Sequence, residues 1–356
     1  METSRSIRFT LIALVLLAGA VWSLRSAGAA SAPHQGARFL ATGTWLKSHL
    51  RDPSLVVVDV RGDKDLDGRT IPGAVHMPWS TFRYDDPARG ISGLFVGEVR
   101  AQEILGAHGI GRNDTVVLYD SVKRDGGATA SYVFWVLDLL GHEKIKVLER
   151  GIDGWVAAEK EMVEQARPAE PVLYQAPADE VQLWRRVDSA FVLSRLGDPH
   201  YQLLDVRSRE EYLGEKPNAG LGGEVLKLGH IPTAANVDYR LNWVDEETKA
   251  FKSPAQLQEL YAGLDSAKTV ITYCHSARRA SFGYFMLRLM GLEQVALYDG
   301  SWFAWGNPRS YYPVEVQERP FADRLSAPPA IQAAATAPSA PVRQTQVRGG
   351  YVSCGG

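Results

Sequence analysis

One cysteine in this chain stands where a nucleophilic sulfur would be made. The stretch Tyr273-Cys274-His275-Ser276-Ala277-Arg278-Arg279-Ala280 follows the apolar run Thr269-Val270-Ile271-Thr272 and precedes a helix-like run from Ser281 to Met290. That order predicts a strand, a tight turn and a helix. A thiol in such a turn faces backbone N–H groups and the positive end of the helix dipole. Arg278 and Arg279 add full positive charge, and each factor favours thiolate over thiol. The competing reading is an inert core residue, because free cysteine is among the most often buried types. Two arginines within five residues argue against a dry core. His275 is not needed as a general base, since neighbours on a turn point apart and a thiolate made by local dipoles requires none.

The elements that position this turn repeat along the chain. Val56-Val57-Val58-Asp59-Val60-Arg61 answers Leu203-Leu204-Asp205-Val206-Arg207. Thr70-Ile71-Pro72-Gly73-Ala74-Val75 answers His230-Ile231-Pro232-Thr233-Ala234-Ala235-Asn236. Thr115-Val116-Val117-Leu118-Tyr119-Asp120-Ser121 answers Thr269 to His275, Val133 to Gly141 answers Phe282 to Gly291, and Gly151-Ile152-Asp153-Gly154-Trp155 answers Ser301 to Trp305. Five blocks in the same order mark an internal duplication. Short β-branched runs alternate with helical patterns in each half, such as the helix predicted after Ser253 with Pro254 near its start. The fold class is therefore α/β with mostly parallel sheets, whose functional crevice lies at the carboxyl ends of the strands. Asp120 holds the Cys274 position in the first half. A carboxylate cannot be a sulfur nucleophile, so that repeat is expected to be silent, with Asp120 a hydrogen-bonded turn or cap residue.

Composition sets the outer limits. The chain has 356 residues, 45% of them hydrophobic, and a formal net charge of −2. Its length suggests two domains, and its charge gives no reason to expect nucleic acid as a partner. The only cysteines are Cys274 and Cys354, which excludes a disulfide framework and a cysteine-rich zinc site. Asp63-Lys64-Asp65-Leu66-Asp67-Gly68 imitates the start of a calcium loop, but Ala74 stands where a bidentate glutamate is required, so it reads as an acidic turn. No metal and no organic cofactor are expected.

The N-terminus reads as a targeting segment. Arg5 and Arg8 precede an apolar run, and Ala27-Gly28-Ala29 fits a small-x-small cleavage site. The uncharged run from Phe9 to Leu24 has 16 residues, short of the roughly 18–20 needed to span a bilayer. Residues 1–30 are expected to be a signal peptide that directs the protein to the periplasm or outside, the alternative being an uncleaved membrane anchor. From about Ser326 the Ala-, Pro- and Gln-rich composition predicts a disordered tail, 326–356.

Taken together, the Asp-Val-Arg after an early strand, the Ile-Pro-Gly-Ala and His-Ile-Pro-Thr-Ala-Ala-Asn segments, the cysteine loop and the Trp-containing close resemble the rhodanese superfamily in its tandem form. The resemblance covers a first, catalytically silent rhodanese-like domain at 38–162 and a second, catalytic one at 181–316, joined by a linker at 163–180. It implies an enzyme of the sulfurtransferase type that carries sulfur as a Cys274 persulfide between a small anionic donor and a thiol or cyanide acceptor. It also implies Arg207 as a substrate-binding residue, beside Arg278 and Arg279, with His275, Ser276, Ala277 and Asp205 supporting the loop. Phosphatases that share the fold need Cys-x5-Arg; here Arg279 gives Cys-x4-Arg, and the shorter loop suits a single sulfur atom. The loop is neither the usual thiosulfate type nor the mercaptopyruvate type, and Ala277 replaces the usual glycine. The arginines favour thiosulfate, since guanidinium forks match oxyanions. Two other readings stay open: a non-catalytic binding module, and a thiol redox protein pairing Cys274 with Cys354.

Overall fold

The structure, a computed structural model, describes residues 35–124, 126–158 and 160–316. The expected leader, the expected tail and Cys354 lie outside the described residues.

Two five-stranded parallel sheets form the frame. The first repeat runs β1 (Leu40–Ala41), α1 (Gly43–His49), β2 (Leu55–Asp59), β3 (Val75–His76), β4 (Arg83–Asp86), β5 (Ile91–Phe95), α2 (Glu98–Ala107), β6 (Thr115–Tyr119), α3 (Ala128–Leu139), β7 (Ile145–Leu148) and α4 (Gly151–Ala157). The second runs β8 (Arg186–Val187), α5 (Ser189–Ser194), β9 (Tyr201–Asp205), α6 (Arg209–Leu213), β10 (Ala235–Asn236), α7 (Pro254–Leu260), β11 (Thr269–Tyr273), α8 (Arg278–Leu289), β12 (Val295–Tyr298) and α9 (Ser301–Trp305). The sheet orders are β1-β7-β6-β2-β3 and β10-β9-β11-β12-β8. The central strands β6 and β11 are β-branched and buried on both faces, as parallel strands covered by helices must be. Each sheet thus carries its strand-to-helix turn at the carboxyl end of a central strand.

The two repeats share one hydrophobic core. Helices α3 and α8 are buried along their whole length; α3 is apolar on nearly every side, whereas α8 also buries Arg278, Arg279 and Arg288. They meet through Phe134 and Phe285, whose rings lie edge to face at 4.9 Å. A buried polar cluster crosses the same seam: Asp138 accepts from Arg288 Nε at 3.0 Å and from the Tyr284 hydroxyl, and Arg185 Nη1 donates to that hydroxyl oxygen at 3.0 Å. The antiparallel hairpin β4–β5 belongs to neither sheet. It reaches from the first repeat to the cysteine loop of the second.

Candidate active site

Cys274 follows the last residue of β11, and α8 begins four residues later at Arg278. So tight a turn needs a left-handed residue, and Ala277 supplies it with φ +66°. An alanine there costs about 1 kcal/mol relative to glycine, because its Cβ crowds the backbone. Ser301, at the start of α9, ties the turn down. Its Oγ accepts the Cys274 N–H at 3.3 Å and the Ala277 N–H at 3.1 Å, and donates to the Tyr298 carbonyl at 2.9 Å. The Cys274 and His275 carbonyls accept the Trp302 and Phe303 N–H groups at 2.9 and 3.0 Å.

The silent repeat is an internal reference for this geometry. The Asp120 carboxylate lies at the N-terminus of α3. There it accepts the N–H groups of Gly127, Thr129 and Ala130 at 3.1–3.2 Å and the Thr129 hydroxyl at 2.8 Å. Helix first turns have N–H groups with no carbonyl four residues back, so they hold anions. Counted from the helix start, the matching positions in the second repeat are Ala277, Arg279 and Ala280, at the end of a shorter loop that begins at Cys274. Gly127 matches Ala277 as the left-handed residue before the helix, with φ +103°. A side chain at Gly127 would also press on Phe251 and Phe282.

The arginines divide unequally. Arg207 is 0% exposed. Its Nε donates to Asp205 at 3.0 Å, its Nη2 donates to Asp205 at 2.6 Å and to the Gly229 carbonyl at 2.7 Å, and its face covers Trp302 at 4.1 Å. Arg61 makes the same clamp in the first repeat, to Asp59 at 2.6 Å and to the Arg69 carbonyl at 2.6 Å. Arg207, expected to bind the donor, thus has Nε and Nη2 held by Asp205 and the Gly229 carbonyl, while its Nη1 meets no hydrogen-bond partner among the described residues. A guanidinium sealed against a carboxylate, and duplicated where there is no cysteine, fastens the segment that returns to the sheet. Asp205 holds that clamp.

Arg279 makes a two-pronged contact with Glu211 at 2.7 and 3.0 Å. Burial alone would raise the Glu211 carboxyl, but the Arg279 charge and hydrogen bonds outweigh it and hold it well below the usual carboxylate range. Glu211 also caps α6 by accepting the Ser208 N–H at 3.1 Å. Sequence reasoning missed Glu211; its signal was the Ser208-x-x-Glu211 capping box. Arg278, buried at the first position of α8, faces the first repeat, 5.7 Å from the Trp79 ring.

His275 supports the loop. Its Nε2 donates to the Ala219 carbonyl at 3.0 Å and its ring stacks on Phe303 at 4.2 Å. Ser276, also buried, offers its carbonyl to the Arg278 N–H at 2.9 Å and to Arg83 Nη2 at 2.7 Å. Arg83 carried no sequence signal, since it lies 193 positions from its partner. The Cys274 side chain is fully covered. A neighbouring cavity of about 480 Å³ lies at the carboxyl ends of β8 and β12, between Ile91, Phe95, Arg186 and Asp299, and Cys274 does not line it. The acidic turn is neutralised by arginines: Asp65 pairs with Arg124, and Asp67 with Arg61 and Arg69. Among the described residues no cluster suited to a metal ion occurs.

Comparison with known proteins agrees with this frame. The Rhodanese-like domain family matches residues 42–158 and 189–308. A thiosulfate sulfurtransferase of Corynebacterium glutamicum is 34% identical over 281 residues, 75% of this chain and 87% of that protein. The sulfur carrier protein TtuD of Thermus thermophilus is 32% identical over 278 residues, 75% of this chain and 93% of that protein. Among solved structures, the anaerobic ergothioneine biosynthesis enzyme from Chlorobium limicola, bound to trimethyl histidine, superposes with a TM-score of 0.66 at 22% identity. The match covers 80% of this chain and 72% of that one, a likeness of fold. With two matched domains, a duplicated α/β frame and one cysteine at the carboxyl end of a central strand, the chain belongs to the rhodanese family in its tandem form and is an enzyme of the sulfurtransferase type.

Proposed function

We propose that Cys274 carries sulfur as a persulfide, with thiosulfate as donor. The Cys274 thiolate attacks the outer sulfur of thiosulfate, and its electron pair forms the new S–S bond. The old S–S bond breaks and its pair leaves with sulfite. A thiophile, either a thiol or cyanide, then takes the outer sulfur and restores the thiolate. The observation that carries this reading is the Asp120 carboxylate, which is held by the first-turn N–H groups of α3 where the second repeat has its sulfur. A cradle that holds a carboxylate suits the terminal anion of a persulfide. Arg278, buried at the first position of α8 directly after the cysteine loop, is the arginine assigned to the donor, because a guanidinium fork matches an oxyanion. The names of the curated relatives favour thiosulfate over 3-mercaptopyruvate. Because Cys274 is covered, the donor reaches it only when covering side chains move aside.

The test is mass spectrometry of the protein after incubation with thiosulfate. The expected result is one added sulfur on the Cys274 peptide, absent in Cys274→Ser, and release of sulfite in equal amount. An unmodified peptide would leave a binding module as the better reading, and a Cys274–Cys354 linked peptide would favour the redox one. Export is proposed separately, on the leader pattern of residues 1–30. Cell fractionation with N-terminal sequencing checks it, and a cytoplasmic full-length chain would overturn it.

A further inference from the structure

We propose that Arg83, supplied by the repeat that lacks the cysteine, is a positioning residue for the Cys274 loop. The strain in the loop lies at Ala277. Its φ of +66° lies in the region that favours glycine. The loop has a simple way to relieve that strain. A flip of the 276–277 peptide changes φ of Ala277 by about 180° and returns it to the ordinary negative range. The flip would turn the Ser276 carbonyl and the Ala277 N–H to opposite sides and spoil the turn around the sulfur.

Two contacts oppose the flip, one on each end of that peptide. The Ala277 N–H donates to Ser301 Oγ at 3.1 Å, from within the second repeat. The Ser276 carbonyl accepts from Arg83 Nη2 at 2.7 Å, from the first repeat. Arg83 is itself built into place. Its Nε donates to the Gly93 carbonyl at 3.0 Å across the hairpin, and its guanidinium lies over the rings of Trp79 at 4.6 Å and Tyr132 at 5.5 Å. Gly93, at φ +73°, leaves the space, because a Cβ there would overlap the guanidinium. The silent repeat has Gly127 at the position of Ala277, and a glycine needs no such restraint. The hairpin thus compensates for the alanine that replaces glycine in the active loop.

The inference rests on the sulfur-carrier reading for its importance but not for its test. Two rates are measured: persulfide formation from thiosulfate, and alkylation of Cys274 by iodoacetamide, which needs no sulfur donor. Arg83→Met is expected to slow both about tenfold. Adding Ala277→Gly to Arg83→Met is expected to bring both to within about twofold of Ala277→Gly alone, because glycine removes the reason to flip. Thermal unfolding confirms that each variant is folded, and Arg83→Gln is used if the methionine variant is not. Wild-type rates in a folded Arg83 variant would overturn the proposal. So would a double variant as slow as Arg83→Met, which would mean that the guanidinium acts by charge alone. If the wild type takes up no sulfur, the persulfide reading fails while alkylation still decides the role of Arg83.

Discussion

The Asp-Val-Arg segment shows at single-residue scale how one motif supports two readings. An arginine near a reactive cysteine suggests anion binding, yet Arg207 is enclosed by Asp205, the Gly229 carbonyl and the Trp302 ring. Removing it would leave a buried carboxylate without its cation, which costs on the order of 3–5 kcal/mol. Arg207→Ala is therefore expected to lower stability by that amount, read by urea unfolding. Arg61→Ala should do likewise in the first repeat, where no sulfur chemistry can be disturbed. A stable Arg207→Ala protein with only a raised KM for thiosulfate would instead support the anion-binding role. The cysteine, its loop and the Asp120 substitution were legible in the sequence, because each depends on neighbours along the chain. Glu211 and Arg83 were not. They act on residues 68 and 193 positions away; the first pairing is set by packing within the second repeat and the second by the packing of the two repeats.

Among the elements, duplication was the most legible feature, because it appears as matched blocks in fixed order. Equivalent hydrogen bonds repeat with it: Val60 N–H to the Tyr119 carbonyl at 3.0 Å and Val206 N–H to the Tyr273 carbonyl at 3.0 Å. The hairpin β4–β5 escaped notice because Arg83-Tyr84-Asp85-Asp86-Pro87-Ala88-Arg89-Gly90 reads as a polar loop. Its pairing is supported by distant contacts, with Trp135 in the first repeat and with the second repeat, where the Phe95 N–H reaches Asp299 at 3.2 Å. The seam between α3 and α8 carries the other long-range dependence. Asp138 faces Arg288, Arg185 and Tyr284 inside it. Asp138→Ala would leave Arg288 and Arg185 with the half-exposed Glu293 as counter-charge, and a loss of up to about 3 kcal/mol is expected in urea unfolding. Asp138→Asn keeps an acceptor for Tyr284 and should cost less. A loss below about 1 kcal/mol for the alanine variant would mean that the seam is held by apolar packing alone.

For the whole molecule, two buried titratable groups at junctions pull stability in opposite directions with pH. Burial pushes the Asp299 carboxyl up to about 6, against the lowering effect of the Phe95 N–H and Arg186. Between its ordinary 3.8 and that value the folded chain holds the extra proton, so Asp299 removes stability as pH rises. Burial pushes His142 down to about 4, despite its hydrogen bond to the Asp114 carbonyl. Below its ordinary 6.5 the unfolded chain binds the proton instead, so His142 adds stability as pH rises. The two act on different contacts, Asp299 on the hairpin of the first repeat and His142 on Tyr174 in the connecting segment, at 3.1 Å. In the wild type they largely offset each other between about pH 5 and about pH 7. Asp299→Asn keeps an acceptor for Phe95 and removes one side of the balance. Across that interval its unfolding free energy in urea is expected to rise by about 1 kcal/mol more than that of the wild type. A difference between variant and wild type that does not change with pH would show that Asp299 is already ionised throughout. Asp299 would then be an ordinary partner of Arg186 rather than a carboxyl that burial keeps protonated up to about pH 6.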